Sequence, residues 1–292
     1  MSTDQHLDAF CACQPRLLGI AYGMLGELGE AEDVVQETWL RWDRADRAEI
    51  RNGEAFLVTV TTRLAVDRLR SAQRRRETYV GPWLPEPLVN DADGAPDDPE
   101  RRVIEAERLS LALLGALERL NPIERAVLIL RDAFDLEYAE IADVVGRSPA
   151  NVRQIAVRAR AHAGDQSRTR PVSAEEQQRL ATAFMAAALA GDVDAIRAAL
   201  AADAILYSDG GGVVSAARKP IYGADKIARF LVGVQRKPGF VPDIEYTVVS
   251  VNGDFGVRMV SPTAGFVGIV AVQVQDREIV AVRLFSNPER FG

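Results

Sequence analysis

The spacing of apolar residues along this chain changes from a helical period to a strand period. In residues 31–42, AEDVVQETWLRW, the apolar positions Val35, Trp39 and Trp42 recur at helical spacing. Residues 55–76, AFLVTVTTRLAVDRLRSAQRRR, continue as a helix with its apolar residues on or near one side and its arginines crowded at the C-terminal end. These patterns predict a helical domain over residues 1–80.

Proline and glycine then interrupt the helical pattern. Residues 81–100 contain five prolines and two glycines, a composition that suits neither a helix nor a central strand. We therefore expect an acidic, proline-rich linker over residues 81–104 and a second helical domain over residues 105–165. A further break, GDQSRTRPVS, covers residues 164–173.

The pattern after this break predicts an α+β domain over residues 174–292. One helical stretch, interrupted near Gly191, leads into five short β-rich runs: AILYSD, YTVVSVNG, FGVRMV, FVGIVAVQVQ and EIVAVRLFSN. Strands that follow helices favour a curved sheet wrapped on those helices. The expected fold class is multidomain, with two all-α domains followed by an α+β domain.

Charge is sorted along the chain, although its net value of −7 alone argues against a nucleic-acid partner. Residues 62–76 contain six arginines and one acid, and residues 147–170 again contain six arginines and one acid. Residues 81–100 contain six acids and no basic residue. Two basic blocks on either side of an acidic segment indicate two nucleic-acid-binding regions.

Composition also excludes several classes of protein. No run of 18 apolar residues predicts a membrane span, and the first residues lack the basic and apolar parts of a secretion signal. The two cysteines, Cys11 and Cys13, fit a reducing compartment and exclude a disulfide scaffold. We expect a cytoplasmic protein that binds no membrane, no metal and no cofactor.

The sharpest local signal is a helix–turn–helix pattern in residues 137–162. Gly146 stands where the chain must turn, Ser148 is a good N-cap, and Pro149 suits the first helical position. Arginine and glutamine side chains form paired hydrogen bonds with guanine and adenine in the major groove. The expected DNA-binding residues here are Ser148, Ala150, Asn151, Arg153, Gln154 and Val157, with Arg158 and Arg160 on phosphates. The alternative is an ordinary helical hairpin with a basic surface.

Three segments in this order resemble the extracytoplasmic-function (ECF) sigma factors, over roughly the first 165 residues. Residues 31–42 are similar to the polymerase-binding helix of region 2, and residues 55–76 are similar to the segment that binds the promoter −10 element. The helix–turn–helix resembles region 4, which binds the −35 element. The resemblance implies a sigma factor that directs RNA polymerase to promoters.

Three further motifs resemble a subgroup with a fused SnoaL-like (NTF2-like) C-terminal domain. They are Trp83-Leu84-Pro85-Glu86-Pro87, Asp209-Gly210-Gly211-Gly212, and Asn287-Pro288. Two departures put some contacts in doubt: Val213 replaces the usual lysine, and Glu289-Arg290-Phe291 replaces Asp-Lys-Leu.

The resemblance also implies residue roles in polymerase and promoter binding. Asp33, Gln36 and Glu37 would dock on the β′ clamp helices of core polymerase. A pocket in the loop Asp46–Glu54, near Asn52, would hold a flipped promoter base. The residues expected to hold the DNA backbone are Arg63, Arg68 and Arg70.

The linker and the fused domain are expected to regulate the sigma domains in cis, so that no separate anti-sigma factor is required. The expected interdomain residues are Trp83, Leu84, Pro85, Asp209, Gly210, Gly211, Gly212, Asn287 and Pro288. The acidic linker should thread polymerase between the two DNA-binding domains. A spacer without contacts is the competing interpretation.

Two other functions compete with the sigma factor. A one-component DNA-binding regulator with a ligand-sensing domain would have no use for the region 2-like helices. An enzyme of the SnoaL type would use histidine and aspartate, but both histidines, His6 and His162, lie outside residues 174–292. Asp209 is the remaining candidate carboxylate, and its glycine-rich turn more readily serves backbone geometry. We therefore predict no catalytic residues and no enzyme activity.

Overall fold

The computed structural model describes residues 3–46, 50–76, 81–91, 109–164, 172–214, 216–237 and 243–287. The chain divides into two compact units. Unit 1 contains residues 1–77 and 96–167, and unit 2 contains residues 78–95 and 168–292. The linker predicted from its composition is thus shared between the units, with its first part belonging to unit 2.

Unit 1 begins with three long helices. They are α1 (Thr3–Leu25), α2 (Leu28–Arg44) and α3 (Gly53–Arg76). Trp42 anchors the bundle because its ring stacks on His6 with centroids 4.3 Å apart, and its indole Nε1 donates to the His6 carbonyl at 3.1 Å. The buried hydroxyls of Thr38 and Thr61 lie 3.1 Å apart and join α2 to α3.

Four short helices complete unit 1. They are α4 (Leu111–Leu117), α5 (Pro122–Leu128) with a π-helical turn (Ile129–Ala133), α6 (Tyr138–Val145) and α7 (Pro149–Ala163). Gly146 ends α6 in the left-handed conformation, with φ of 63°. Ser148 caps α7, since its side chain accepts from the Asn151 amide, and Pro149 follows as the first helical residue. The predicted turn, cap and first helical residue are therefore confirmed.

The two helical groups of unit 1 pack against each other through long-range contacts. The fully buried Arg125 of α5 donates from Nε to the Gly23 carbonyl of α1 at 3.2 Å and from Nη1 to Glu118 at 2.6 Å. Arg16 of α1 donates to the Phe134 carbonyl at 3.2 Å. A Cβ on Gly23 would meet Ile129 at 3.1 Å, so glycine permits this close packing.

Unit 2 is an α+β domain, as the sequence predicts. Its helices are α8 (Ala174–Ala190), α9 (Val193–Ala199) and α10 (Ala224–Gln235). Its strands are β1 (Val89–Asp91), β2 (Leu200–Asp209), β3 (Ile221–Tyr222), β4 (Glu245–Val251), β5 (Asp254–Ser261), β6 (Gly265–Gln275) and β7 (Glu278–Phe285). The predicted break at Gly191 is confirmed, because this residue ends α8 with φ of 67°.

The seven strands form one sheet in the order β1-β4-β5-β6-β7-β2-β3. Only the β2–β7 pair is parallel among the described strands. One face packs against α8, α9 and α10 in a core that includes Phe184, Ile196, Ile227, Val272 and Val282. The strand β1 comes from the linker and occupies one edge of the sheet, which its composition did not predict.

Candidate nucleic-acid interface

Helix α7 presents one exposed face beside its buried face. Val152, Ile155 and Ala159 are buried, whereas Arg153 and Gln154 are exposed, and Val157 is 67% exposed. This division follows from the helical period, because the two sets of residues lie on different sides. Ala150 is also exposed, and Asn151 is half-buried at the cap. The predicted base-contacting residues therefore share an accessible surface.

The two arginines predicted to bind phosphates on α7 have different surroundings. Arg158 is exposed and makes no ion pair with the described residues. Arg160 donates to Asp132 through both Nε and Nη2. That hydrogen bonding, opposed by partial burial, raises the Arg160 pKa well above its ordinary value. Arg160 would have to leave Asp132 before it binds DNA.

A cleft of about 570 Å³ lies at the start of α3, where the sequence predicts a base-binding pocket. Its lining residues are Ala45, Asp46, Ile50, Arg51, Asn52, Ala55, Phe56 and Thr59. The Asn52 side chain caps α3, because its Oδ1 accepts from the Ala55 amide at 3.1 Å. Asn52, Phe56 and the end of α2 are thus brought together around one open space.

The three arginines of α3 that are predicted to hold DNA are engaged within unit 1. Arg63 donates from Nε to the Val144 carbonyl at 3.1 Å and from Nη2 to the Asp143 carbonyl at 3.2 Å. Arg68 contacts Glu30 at 3.0 Å and Asp33 at 3.1 Å through Nη1. Arg70 pairs with Asp67 at 3.0 Å on the surface. The positions predicted to hold DNA are therefore occupied by protein acceptors.

The polar face of α2 is accessible. Asp33 and Gln36 are exposed, and Glu37 is partly exposed and pairs with Arg41 at 2.7 Å. Leu40 lies one turn further along the same face and is 49% exposed. The helical period places Leu40 beside Gln36 and Glu37, so its position on this face could have been predicted from the sequence. Sequence reasoning missed it.

The glycine-rich turn after β2 receives Asn287 from the end of the chain. A Cβ on Gly211 would overlap the Asn287 side chain, so only glycine lets this segment approach so closely. Asp209 and Asn287 are both buried, and the Gly211 amide donates to Asp209 Oδ1 at 3.0 Å. Pro288 lies outside the described residues. The turn and the Asn287 motif are thus adjacent within unit 2.

The linker motif is also part of unit 2. Leu84, Pro85 and Pro87 are buried, and Trp83 is half-buried. Gly81 lines a pocket of about 190 Å³ together with Gly210 and Gly212 of the glycine-rich turn. The residue two positions before the linker motif thus lies beside the glycine-rich turn.

Sequence reasoning missed one further polar cluster of unit 2. Asp254 Oδ1 accepts from Gln177 at 3.2 Å, and Arg283, which is buried, donates to Gln273 at 3.2 Å. Burial raises the Asp254 pKa to about 6, although Arg283 and Gln177 act to lower it. Gln177 on α8 lies 77 positions before Asp254, so no local pattern in the sequence indicates this contact.

An exposed arginine–glutamine recognition face, a polar α2 face and a cleft before α3 together define a promoter-binding transcription initiation factor. Two family models match the chain: Sigma-70 region 2 over residues 10–75, and Sigma-70, region 4 over residues 110–162. The chain belongs to the ECF RNA polymerase sigma factors, and its C-terminal part is an α+β domain.

The similarity to one relative extends through both units. The ECF RNA polymerase sigma factor SigJ of Mycobacterium tuberculosis is 38% identical over 302 residues, covering 97% of this chain and 92% of the relative. The crystal structure of that protein matches with a TM-score of 0.78 at 34% identity and covers 98% of each chain. A probable ECF sigma factor, SigI of the same species, is 35% identical over 190 residues and covers 64% of each chain.

These findings decide between the functions considered from sequence. The region 2 match, together with the relative that covers both units, establishes a sigma factor rather than a one-component regulator. Sigma factors bind RNA polymerase and promoter DNA. Among the described helices, none has the length and apolar character needed to cross a bilayer.

Proposed function

We propose that this sigma factor docks on the β′ clamp helices of core polymerase through α2, and that its fused domain controls its activity in cis. The exposed polar face of Asp33, Gln36 and Glu37, with the apolar Leu40 beside it, supports the docking site. Polar contacts orient the two protein surfaces, and an apolar contact excludes water between them. The expected location is the cytoplasm, where polymerase acts.

The −10 element is assigned to the cleft lined by Asn52 and Phe56. A flipped base needs a pocket with an aromatic or apolar surface and groups that bond to its edge. The ring of Phe56 and the amide of Asn52 supply these features, and the volume of about 570 Å³ leaves room for a base. Arg63, Arg68 and Arg70 would hold the backbone after leaving their protein partners.

The −35 element is assigned to the exposed face of α7. Arg153 and Gln154 provide base contacts, and Val157 provides an apolar contact for a thymine methyl group. Ser148, Ala150 and Asn151 stand at the N-terminal end of the helix, which helix–turn–helix proteins place against the bases. The exposure of Arg153 and Gln154 is the single observation on which the promoter-binding proposal depends most.

Control in cis is supported by the built contact between the glycine-rich turn and Asn287. Asp209 and Asn287 are both buried at the glycine-rich turn. A side chain at Gly211 would overlap Asn287, so this contact requires glycine. We assign no catalytic role to this domain, since its Asp209 bonds the backbone of its own turn and the domain contains no histidine. No separate anti-sigma factor is then required.

The test is in vitro transcription with core polymerase on one promoter, comparing the full chain with two truncations. Removing residues from Asn287 onward should raise transcription by releasing the restraint. Removing residues from Pro171 onward should lower it again, because a supporting contact is also lost. The point variant Asn287→Ala is a matched control that removes the contact and keeps the chain length.

Equal activity of all four proteins, each confirmed as folded by circular dichroism, would refute control in cis. It would leave the promoter and polymerase assignments untouched, since those depend on unit 1. A genomic promoter library with the same proteins would then identify the sequences that α7 selects.

A further inference from the structure

The linker joins the sheet of the C-terminal domain as an added edge strand. Val89, Asn90 and Asp91 pair antiparallel with Val251, Ser250 and Val249 of β4. Edge strands expose unpaired amides and carbonyls, and an extended peptide can satisfy them by adding one more strand. The strand β1 therefore has the geometry of a bound peptide.

Asn252 extends this pairing beyond the strand itself. Its backbone amide donates to the Leu88 carbonyl at 2.9 Å, and its side-chain Oδ1 accepts from the Leu88 amide at 2.9 Å. Asn252 is buried and has φ of 50°, so its own carbonyl turns away and the side chain replaces it in the ladder. The side chain of Asn252 thus recognises an extended backbone directly.

The sequence before β1 shapes the peptide for this site. Pro85 and Pro87 are buried and have no amide to donate, so they hold the segment extended and stop the ladder at Leu88. Leu84 and Leu88 are buried apolar anchors. An extended backbone that pairs with a sheet edge and is anchored by buried apolar side chains is expected when a peptide binds by strand addition.

We propose that the β4 edge with Asn252 is a receptor for the linker segment Leu84–Asp91, and that this pairing is a reversible latch which withholds the linker from polymerase. The inference rests on the proposed control in cis. The linker of this sigma factor is expected to thread polymerase, and one extended backbone cannot pair with β4 and line a polymerase channel together. Polymerase binding and latch closure then exclude each other.

The contacts between the linker segment and β4 are few, and the covalent connection of the linker to the domain keeps the segment bound. Three residue pairs and two hydrogen bonds to Asn252 join the backbone of the segment to the β4 side. A tethered segment meets its site at a high local concentration, so a few bonds keep it bound until a stronger competitor takes the linker. Polymerase would be that competitor.

The first test locks the latch with a disulfide. Antiparallel pairs alternate between bonded and non-bonded types, and the bonded pairs at Leu88–Asn252 and Asn90–Ser250 make Val89–Val251 a non-bonded pair with close Cβ atoms. The variant Val89→Cys with Val251→Cys is made with Cys11→Ser and Cys13→Ser. A second pair, Tyr246→Cys with Met259→Cys, links β4 to β5 and serves as the matched control.

Promoter-dependent transcription is measured with each variant oxidised and reduced. The Val89–Val251 cross-link should reduce transcription at least tenfold, and reductant should restore it. The control cross-link should have no effect in either state. Full activity of the oxidised Val89–Val251 variant, with the disulfide confirmed by mass spectrometry, would overturn the latch.

The second test opens the latch. Asn252→Gly keeps the left-handed turn and removes the side-chain acceptor, whereas Asn252→Asp keeps an oxygen at the same position. Asn252→Gly should speed amide exchange at Leu88 and raise transcription two- to tenfold. Asn252→Asp should match the parent protein. Faster exchange without a change in transcription would show that β1 merely covers a sheet edge.

The two hypotheses fail in different ways. If the truncations alter transcription but neither latch test does, control in cis stands and the latch is wrong. If the cross-link inhibits while the truncations match the full chain, the native pairing does not limit transcription, and both the latch and control in cis are wrong.

Discussion

The two basic helices of unit 1 differ in how their arginines are used. On α7, Arg153 and Gln154 are exposed and point away from the helical core. On α3, Arg63 donates to the last carbonyls of α6, and Arg68 bridges Glu30 and Asp33 of α2. The sequence marks both helices as basic to a similar degree, but only α7 exposes its candidate base contacts. Even there, the Arg153 guanidinium lies over the Tyr138 ring, 5.6 Å from its centroid, and Arg160 is bonded to Asp132.

This difference assigns separate roles to the two helices in a promoter search. The α7 face can test base edges directly, because Gln154 and Val157 are exposed and Arg153 gives up a contact with the Tyr138 ring rather than an ion pair. Arg160, by contrast, must first leave Asp132. Each α3 arginine must exchange a protein acceptor for a phosphate, so its net contribution is the difference between two similar bonds. Arg63 also stabilises the negative end of the α6 dipole, and its release would loosen the α3–α6 contact.

The largest expected effect concerns the acids on the polar face of α2, one of which, Asp33, also pairs with Arg68. Asp33→Lys with Glu37→Lys should abolish co-elution with core polymerase, at a cost of about 2–5 kcal/mol for lost and reversed charges at an interface. Size-exclusion chromatography and a titration with labelled core measure it. The same charge change at the exposed residues Asp203 and Glu278 of unit 2 should leave binding unchanged. Retained binding by the α2 variant would mean that the docking face is misassigned.

The next effect tests the exposed face of α7. Arg153→Ala should cost about 1–3 kcal/mol of binding to −35 DNA, or about 5- to 150-fold, and should relax preference at one base pair. Arg158→Ala is the matched control, since loss of a phosphate contact weakens all sequences alike. Competition binding with single-base variants of the site measures both. Equal, sequence-blind losses from the two changes would remove Arg153 from base recognition.

A smaller, several-fold loss of promoter affinity is expected from Arg63→Ala. The variant loses a phosphate contact, which should lower the slope of log affinity against log salt by about 1. It also loses the hydrogen bonds to α6 that compete with DNA, so the net loss of affinity is small. Hydrogen exchange should become faster at the turn between α6 and α7, because α6 loses its C-terminal partner.

Arg70→Ala separates the two consequences. Arg70 contacts Asp67 on the surface and does not contact α6, so its loss should lower the salt slope and leave exchange at the α6–α7 turn unchanged. If Arg63→Ala left that exchange unaltered as well, the hydrogen bonds from Arg63 to Asp143 and Val144 would not stabilise the C-terminal end of α6.

The smallest effect is predicted at the engaged arginine of α7. Asp132→Asn removes the charge that holds Arg160 and should raise affinity for all DNA sequences by up to about fivefold, since a partly exposed ion pair is worth about 0–1 kcal/mol. Arg160→Ala should weaken all sequences alike. Binding measured at two salt concentrations checks both variants. An affinity that Asp132→Asn lowers would show that the ion pair positions α7 instead of competing with DNA.

Several features of this protein were determined by the sequence alone. The turn at Gly146, the Ser148 cap and Pro149 locate the recognition helix. The five β-rich runs coincide with β2, β4, β5, β6 and β7, and the runs at β4 and β7 each extend two residues beyond the strand. These signals act over a few residues: a cap bonds within its own first turn, glycine alone adopts the left-handed conformation without strain, and alternation depends on neighbours. Local chemistry therefore fixes them wherever the segment lies.

Other features depended on partners far away in the chain. Arg63 meets Val144 across 81 positions, and Leu88 meets Asn252 across 164 positions. The composition of the linker excludes a helix, yet it does not say that three of its residues complete a sheet, because strand pairing needs an available edge as well as an extended segment. The tertiary structure alone decided which arginines are engaged and where the linker binds, since both are set by which groups packing brings within hydrogen-bond distance.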